Sequence, residues 1–337
     1  MKTEIISLLR QRGTYVSGQE LCERFRVSRT AVWKAVEQLK KDGYKIEAVK
    51  NRGYLLTEES GQVFGRTEIE SRLKTNWIGQ SLYYYDSIDS TNVQAKRLAE
   101  EGAPDGSLVV ADQQTAGRGR RGRGWISPAG ANLYFTLLLR PRIAPDKASM
   151  LTLVMAMAVA RGIQSRMGDG RSPGGQNASV GIKWPNDIVI MGRKACGILT
   201  ELSLSVEQGT IDYLVIGVGI NVKRQTFSEE LQGHAIALEE VLDEVSRSEL
   251  LNAVLTAFEG YYEEFLATGD LTRLQKDYNE LMVNLDQQVR VLDPKGEYEG
   301  IARGIRNTGE LLVEIQGGET RAVYAGEVSV RGIYGYV

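Results

Sequence analysis

At 337 residues, with 42% hydrophobic and 25% charged side chains, the chain has the composition of a globular protein of about two domains, which excludes collagen-like, low-complexity and disordered readings. One histidine, His234, and two cysteines far apart, Cys22 and Cys196, exclude a Cys/His zinc site and a disulfide framework. The cysteines read as small buried thiols of a reducing compartment. The net charge of −2 hides an asymmetry, because residues 1–56 hold 12 Lys/Arg against 6 acids, leaving +6 on the head and −8 on the remainder. Such a basic head on an acidic body raises nucleic acid as a partner.

In the head, Ile5, Ile6, Leu8 and Leu9 recur at helical spacing up to Gly13. Ser17 with Glu20 forms an S-x-x-E capping box for a second helix through Phe25. A third helix opens at Ser28, with Val32, Val36 and Leu39 on one stripe and Arg29, Thr30, Trp33, Lys34 and Lys40 largely off it. Residues 44–49 and 53–56 alternate as two strands about the basic turn Lys50-Asn51-Arg52. Helix, turn, helix and basic hairpin make a winged helix-turn-helix, whose third helix enters a major groove while the wing touches the backbone. Ser28, Arg29, Thr30, Trp33, Lys34, Lys50 and Arg52 are the candidate DNA contacts. A helical protein-interaction domain with a solvated basic face is the competing reading, and Trp33 either touches a base or packs under the wing.

After an acidic linker at 58–61, strands are predicted at 82–85 and 108–112 with a helix at 93–101 between them. Residues 113–125 then read Gln-Gln-Thr-Ala-Gly-Arg-Gly-Arg-Arg-Gly-Arg-Gly-Trp, ahead of a strand at 133–139. Gly117, Gly119 and Gly122 satisfy G-x-G-x-x-G, yet a dinucleotide fingerprint must open a helix, and Pro128 and Gly130 lead instead to a strand. No Walker A loop is present. Four arginines in one glycine-rich loop repel one another unless an anion sits among them, which points to a phosphate or carboxylate ligand. The alternatives are an RNA-binding RGG-like segment and a merely solvated loop. The most apolar run, 151–160, is half of the ~20 residues that cross a bilayer, and the start has no signal-peptide core, so a cytoplasmic protein with no membrane span is predicted.

Further along come Lys183-Trp184-Pro185-Asn186-Asp187, a strand at 188–191, Lys194-Ala195-Cys196-Gly197-Ile198-Leu199 and Gly217-Val218-Gly219-Ile220-Asn221-Val222. With Asp86-Ser87, Ser90-Thr91-Asn92 and the run 114–125, these motifs stand in the order found in biotin protein ligases. Together with the amino-terminal head, the chain resembles the bifunctional, repressor-type members of that family over essentially its whole length.

The resemblance implies an α+β multidomain fold. Residues 1–60 form the winged helix-turn-helix, and 61–284 a catalytic domain whose mixed sheet and helices are like class II aminoacyl-tRNA synthetases. Residues 285–337 form a small SH3-like β-barrel, consistent with the strands predicted at 288–292, 298–305, 311–315 and 320–324. It implies a biotin–[biotin carboxyl-carrier protein] ligase that uses ATP and Mg2+ to make biotinyl-5'-AMP and passes the biotinyl group to a lysine of a biotin carboxyl carrier domain. It also implies a homodimeric repressor of biotin-supply genes on operator DNA, with the adenylate as corepressor. A non-catalytic biotin-sensing regulator and a lipoate-type ligase are the alternatives.

By motif matching, Ser90, Thr91, Asn92 and Gln114 line the biotin pocket, with Gly197 and Ile198 in its wall. Ser90 and Thr91 also read as a plain helix N-cap. Arg118, Gly119 and Arg120 clamp the carboxylate and α-phosphate, with Lys183 on the same oxygens; Lys183, Arg118 and Arg120 are the catalytic candidates. Arg120, Arg121, Arg123, Trp125, Lys183 and Asn221 face ATP or the adenylate. Asn186 and Asp187 either touch nucleotide or metal or stabilise a turn, so the metal ligands stay open, and His234 has no assigned role. The Gly-rich segment 168–181 is longer than the family's usual connection and reads as a surface insertion.

Overall fold

The structure is a computed structural model and describes residues 1–58, 63–167, 178–205, 207, 209–293, 296–325 and 329–332. Residues 59–62 and 168–177, which hold most of the expected linker and insertion, lie outside these. The chain divides into two units, Met1–Lys74 with Ser246–Asn252, and Thr75–Val245 with Ala253–Val337.

The first unit opens with α1 (Lys2–Arg12), α2 (Gly18–Phe25) and α3 (Arg29–Lys41). The capping residues read from sequence act as such: Ser17 Oγ accepts the Glu20 N–H and Ser28 Oγ that of Ala31. The apolar stripes Ile5, Ile6, Leu8, Leu9 and Val32, Ala35, Val36, Leu39 meet in one buried cluster with Leu21. Strands β1 (Lys45–Val49) and β2 (Gly53–Glu58) form the antiparallel wing, and Tyr54 bridges back to Val16 ahead of α2. Gly53 is required there, since at φ +105° a Cβ would lie 2.0 Å from the Val16 carbonyl oxygen.

Helix α4 (Arg66–Arg72) completes the head. Its Glu68, 2% exposed, lies between Arg10, at 3.0 Å, and Arg72, which also reaches Glu249 at 2.5 Å. A buried carboxylate is tolerated there because cations meet it on both sides.

The second unit is built on a seven-stranded sheet of order β3-β4-β5-β9-β8-β7-β6. Its elements run β3 (Leu82–Ile88), α5 (Thr91–Glu100), β4 (Ser107–Gln114), β5 (Leu133–Leu139), α6 (Met150–Gln164), β6 (Val180–Lys183), β7 (Asp187–Ile190), β8 (Arg193–Leu204) and β9 (Ile211–Ile220). Only β3 and β4, joined by α5, pair in parallel. Ala95, Leu98 and Ala99 seat α5 on Val109, Leu138 and Val215, and Arg140 donates to the Ala99 carbonyl at its end. The apolar run too short to span a bilayer is α6, a core helix buried almost all round. No described helix is long and apolar enough to cross a membrane.

Helices α7 (Arg247–Thr268) and α8 (Gln275–Leu281) follow. Glu259 of α7, 6% exposed, is satisfied by the backbone N–H groups of Asn76, Trp77 and Ile78 at 2.8–3.3 Å. The sequence reading assigns no element to α4, α6, α7 or α8. Strands β10 (Gln288–Leu292), β11 (Tyr298–Ile305), β12 (Leu311–Glu314), β13 (Thr320–Val323) and β14 (Ser329–Gly332) form an antiparallel sheet of order β13-β12-β11-β10-β14. Four of them fall where alternation predicts strands.

Candidate active site

One face of the sheet is bare where β8 and β9 run side by side. Gly197 and Gly219 are direct cross-strand partners, and Gly217 lies two residues from Gly219 on the same face. The Trp125 indole covers part of this floor: a Cβ at Gly219 would stand 2.5 Å from its Nε1, and one at Gly197 3.0 Å from its ring. Nε1 is buried with no hydrogen-bond partner among the described residues. Over Gly217 sits the Asn92 side chain, which a Cβ would meet at 2.0 Å. A slot is thus defined between an aromatic ring and the start of α5.

The start of α5 is bound to the arginine loop through Gln114. Its Oε1 accepts from both the N–H and the Oγ1 of Thr91, while its Nε2 donates to Ser127 Oγ at 2.9 Å. Ser90 occupies the N-cap position and is buried, yet its side chain makes no capping bond; Gln114 takes over that work. Asn92 is committed to the scaffold, accepting from Thr136 Oγ1 and donating to Glu201 and to the Leu199 carbonyl. Strand alternation turns the Ile198 side chain to the opposite face, where Thr200 meets Thr152 of α6. Only its backbone approaches the site, through reciprocal bonds with Asn186.

The arginine loop is a small hairpin. Trp125 N–H donates to Gly117 O at 2.9 Å, Gly119 N–H to Arg123 O at 2.7 Å, and Arg121 forms its tip at φ +56°. Arg118, Arg121 and Arg123 are exposed, whereas Arg120 turns inward and donates to Asn186 Oδ1 at 2.7 Å. Burial lowers the Arg120 pKa, and the charge of Asp187 works against that shift.

That bond brings the hairpin to the turn Lys183-Trp184-Pro185-Asn186-Asp187, where Lys183 is 7% exposed. Trp184 is buried, and its Nε1 donates to Gly309 O between β11 and β12. The structure adds a cation to which the sequence reading gave no role. Lys194 Nζ lies 2.6 Å from the Asp187 carboxylate and 5.5 Å from the Trp125 ring centroid, beside Gly197. Regular alternation would turn a residue three before Gly197 to the opposite face, and the register shift where Ile188 pairs with Cys196 but Val189 with Lys194 brings it back, so no spacing in the sequence locates it. Asn221 is buried and donates to the Lys194 carbonyl at 3.4 Å, which fixes that strand. His234 also acts through its backbone, accepting from Lys194 N–H.

Glu201 likewise belongs to no motif of the sequence. Burial pushes its carboxyl up, but hydrogen bonds from Lys96 and Asn92 and the charges of Lys96 and Arg118 outweigh burial and hold it below its ordinary value. Arg120 of the hairpin and Lys194 of β8 therefore stand beside the slot, with Asp187 and Glu201 as counter-charges. Such a site suits a ligand that brings anionic oxygens together with an apolar body. Among the described residues no group of three or more His, Cys, Asp or Glu is assembled to hold a metal. Cys196 is a free, buried thiol whose pKa burial pushes up.

In the head, Ser28, Arg29, Thr30, Trp33, Lys34, Lys50 and Arg52 are all exposed. Trp33, 54% exposed, is not packed under the wing. Arg29 is steadied by Gln19 at 3.1 Å, and the Arg52 guanidinium stacks 4.1 Å over the Tyr15 ring.

Three family profiles match the chain: the biotin/lipoate A/B protein ligase family at residues 84–221, an HTH domain at 2–55 and the biotin protein ligase C-terminal domain at 285–331. The bifunctional ligase/repressor BirA of Bacillus subtilis is 37% identical over 334 residues, 98% of each chain. Its Escherichia coli namesake is 32% identical over 330 residues, 97% of this chain and 96% of that one. Among solved structures, the biotin protein ligase of Aquifex aeolicus in complex with biotin and ATP is similar at a TM-score of 0.63 and 29% identity, covering 75% of this chain and 99% of its own.

Proposed function

Since the chain belongs to the biotin protein ligase family, in its bifunctional ligase/repressor form, we propose a division of labour among its residues. The protein activates biotin with ATP as biotinyl-5'-AMP, transfers the biotinyl group to a lysine of a biotin carboxyl carrier domain, and represses transcription through its helix-turn-helix. The observation that carries the catalytic assignment is the meeting of Arg120, Asn186, Asp187 and Lys194 beside the bare Gly197–Gly219 floor.

Biotin's carboxylate is already an anionic nucleophile at neutral pH, so its attack on the α-phosphate needs positioning and charge neutralisation more than a base. Arg118, Arg120 and Lys183 neutralise the α-phosphate oxygens as pyrophosphate leaves, and Arg121 and Arg123 receive the pyrophosphate. Lys194 joins them on the carboxylate and phosphate side. Trp125 stacks on adenine, and Asn221 acts at one remove by fixing Lys194. The biotin rings lie along the floor between Trp125 and the Ser90-Thr91-Gln114 group. In the second step the carrier's lysine amine attacks the acyl carbon of the mixed anhydride, and AMP departs.

Mg2+ fits the donor set as an ion that arrives on nucleotide phosphates. Asp187 and Asn186 offer hard oxygens, and Mg2+ is commonly held by one or two carboxylates plus phosphates. When bound it would draw charge from the phosphates.

The repressor works as a homodimer, each head reading one half-site with α3 and the wing. Beyond Gly197, β8 has no described strand on its β7 side, and Leu202 and Leu204 are exposed there, which supports pairing of two copies along this edge. The class II synthetase-like and SH3-like descriptions of the catalytic and C-terminal regions, the domain limits at 60 and 284, and a cytoplasmic setting belong to the same proposal. Adenylate formation assayed as biotin-dependent pyrophosphate release tests the roles together. Lys183→Ala and Arg120→Ala each lose most of the rate, and full activity in both would overturn the assignment.

A further inference from the structure

The peptide bond joining Lys183 to Trp184 is gripped from outside its own sheet. Its N–H donates to Asn284 Oδ1 at 3.3 Å. Asn284 is 1% exposed and stands where α8 gives way to β10. The surrounding contacts make this junction continuous. Met282 forms a parallel bridge with Ile182, Val283 N–H donates to the Ile182 carbonyl at 3.0 Å, and Trp184 Nε1 is anchored on Gly309 O at 3.2 Å.

The other half of the Asn284 amide is unmet: Nδ2 is buried with no partner among the described residues. Burying an unsatisfied donor is costly, and packing alone would be served better by an apolar side chain. What the asparagine supplies that such a side chain would not is the acceptor for the Trp184 N–H. That bond sets the plane of the peptide following Lys183, and with it the direction in which the Lys183 side chain leaves β6.

We propose that Asn284 is a positioning residue for adenylation, acting through Lys183 and making the C-terminal segment part of the catalytic apparatus. This rests on the reading that Lys183 bears on the reacting phosphate. The test uses the full chain with Asn284→Ala and Asn284→Asp, each alone and combined with Lys183→Ala. The readouts are kcat and KM for ATP in biotin-dependent pyrophosphate release, and biotin affinity by calorimetry.

A displaced catalytic group lowers kcat by ~10- to 100-fold in Asn284→Ala. Asn284→Asp, which keeps an Oδ1 acceptor of the same shape, restores most of it, and biotin affinity stays within about twofold because the contact lies off the biotin floor. In the Lys183→Ala background the alanine change at 284 adds no more than about a further twofold, since the residue it serves is gone.

An unchanged kcat, an equal loss in both backgrounds or a parallel loss of biotin affinity would overturn the inference. If Asn284→Ala does not fold, Asn284→Ser, whose hydroxyl is too short to reach the amide, takes its place in the same comparison. Lys183→Ala alone separates the two readings: near-normal activity removes the Lys183 role itself, whereas a large loss uncoupled from Asn284 overturns only the inference about Asn284.

Discussion

Arg120 donates to Asn186 Oδ1 at 2.7 Å, which ties the arginine hairpin to the turn that carries Lys183. Removing an oriented cation from a developing negative charge costs ~10²- to 10³-fold in rate. Arg120→Ala is therefore expected to slow biotin-dependent pyrophosphate release by that factor, and Arg120→Lys to restore little, because an ammonium lacks the planar fork. Steady-state kinetics of the two variants check this; a loss below about threefold in Arg120→Ala would place the catalytic charge elsewhere.

Gly219→Ala tests the floor. The new methyl would stand 2.5 Å from Trp125 Nε1, so either the indole moves or the strands part. Biotin and adenylate affinity, measured by calorimetry, should weaken by about tenfold or more while circular dichroism stays native. Unaltered binding of both would mean that the substrates lie away from the Gly197–Gly219 pair.

A pH dependence follows from Glu201. Its folded pKa lies below the ordinary value of about 4.3, so its contribution to stability is present above that pH and is lost as pH falls through the folded value. Glu201→Gln should lower the urea midpoint of unfolding at pH 7, with the gap to the parent closing in more acidic solution. Urea titrations at several pH values decide it: a gap independent of pH would assign the effect to the lost shape of the carboxylate.

Much of this was legible in residues whose function is local. Ser17 and Ser28 announce their helices because a hydroxyl at an N-cap satisfies an amide two or three residues on, and alternation marks the strands of the C-terminal sheet. The arginine hairpin and the Lys183 turn were visible as motifs, but their contact through Arg120 and Asn186 joins positions 66 residues apart, which no local pattern reports. Lys194 carries no signal of its own, because a lysine on a strand looks like a solvated one until Asp187, Trp125 and Gly197 are placed around it. Trp184 is given no role by the motif, and its partner, the Gly309 carbonyl, lies 125 residues away. Helix α6 lacked a polar face, so helical periodicity had nothing to detect.

In the head, Arg52, whose guanidinium stacks on the Tyr15 ring, is proposed as an electrostatic contact for a phosphate rather than a reader of bases. Arg52→Ala should weaken binding to operator and non-operator duplexes alike and reduce the slope of log K against log salt by ~0.9. Titrations at several salt concentrations measure it, and a loss confined to the operator would make Arg52 a base contact.

The double role of this one chain is to activate biotin and to hand it on. Its most direct test is intact-mass analysis of a biotin carboxyl carrier domain incubated with the purified full chain, biotin, ATP and Mg2+. A single biotinyl addition on the carrier's lysine is expected, dependent on ATP and largely lost in Lys183→Ala. A carrier recovered unmodified, from a protein that still binds biotin, would contradict it.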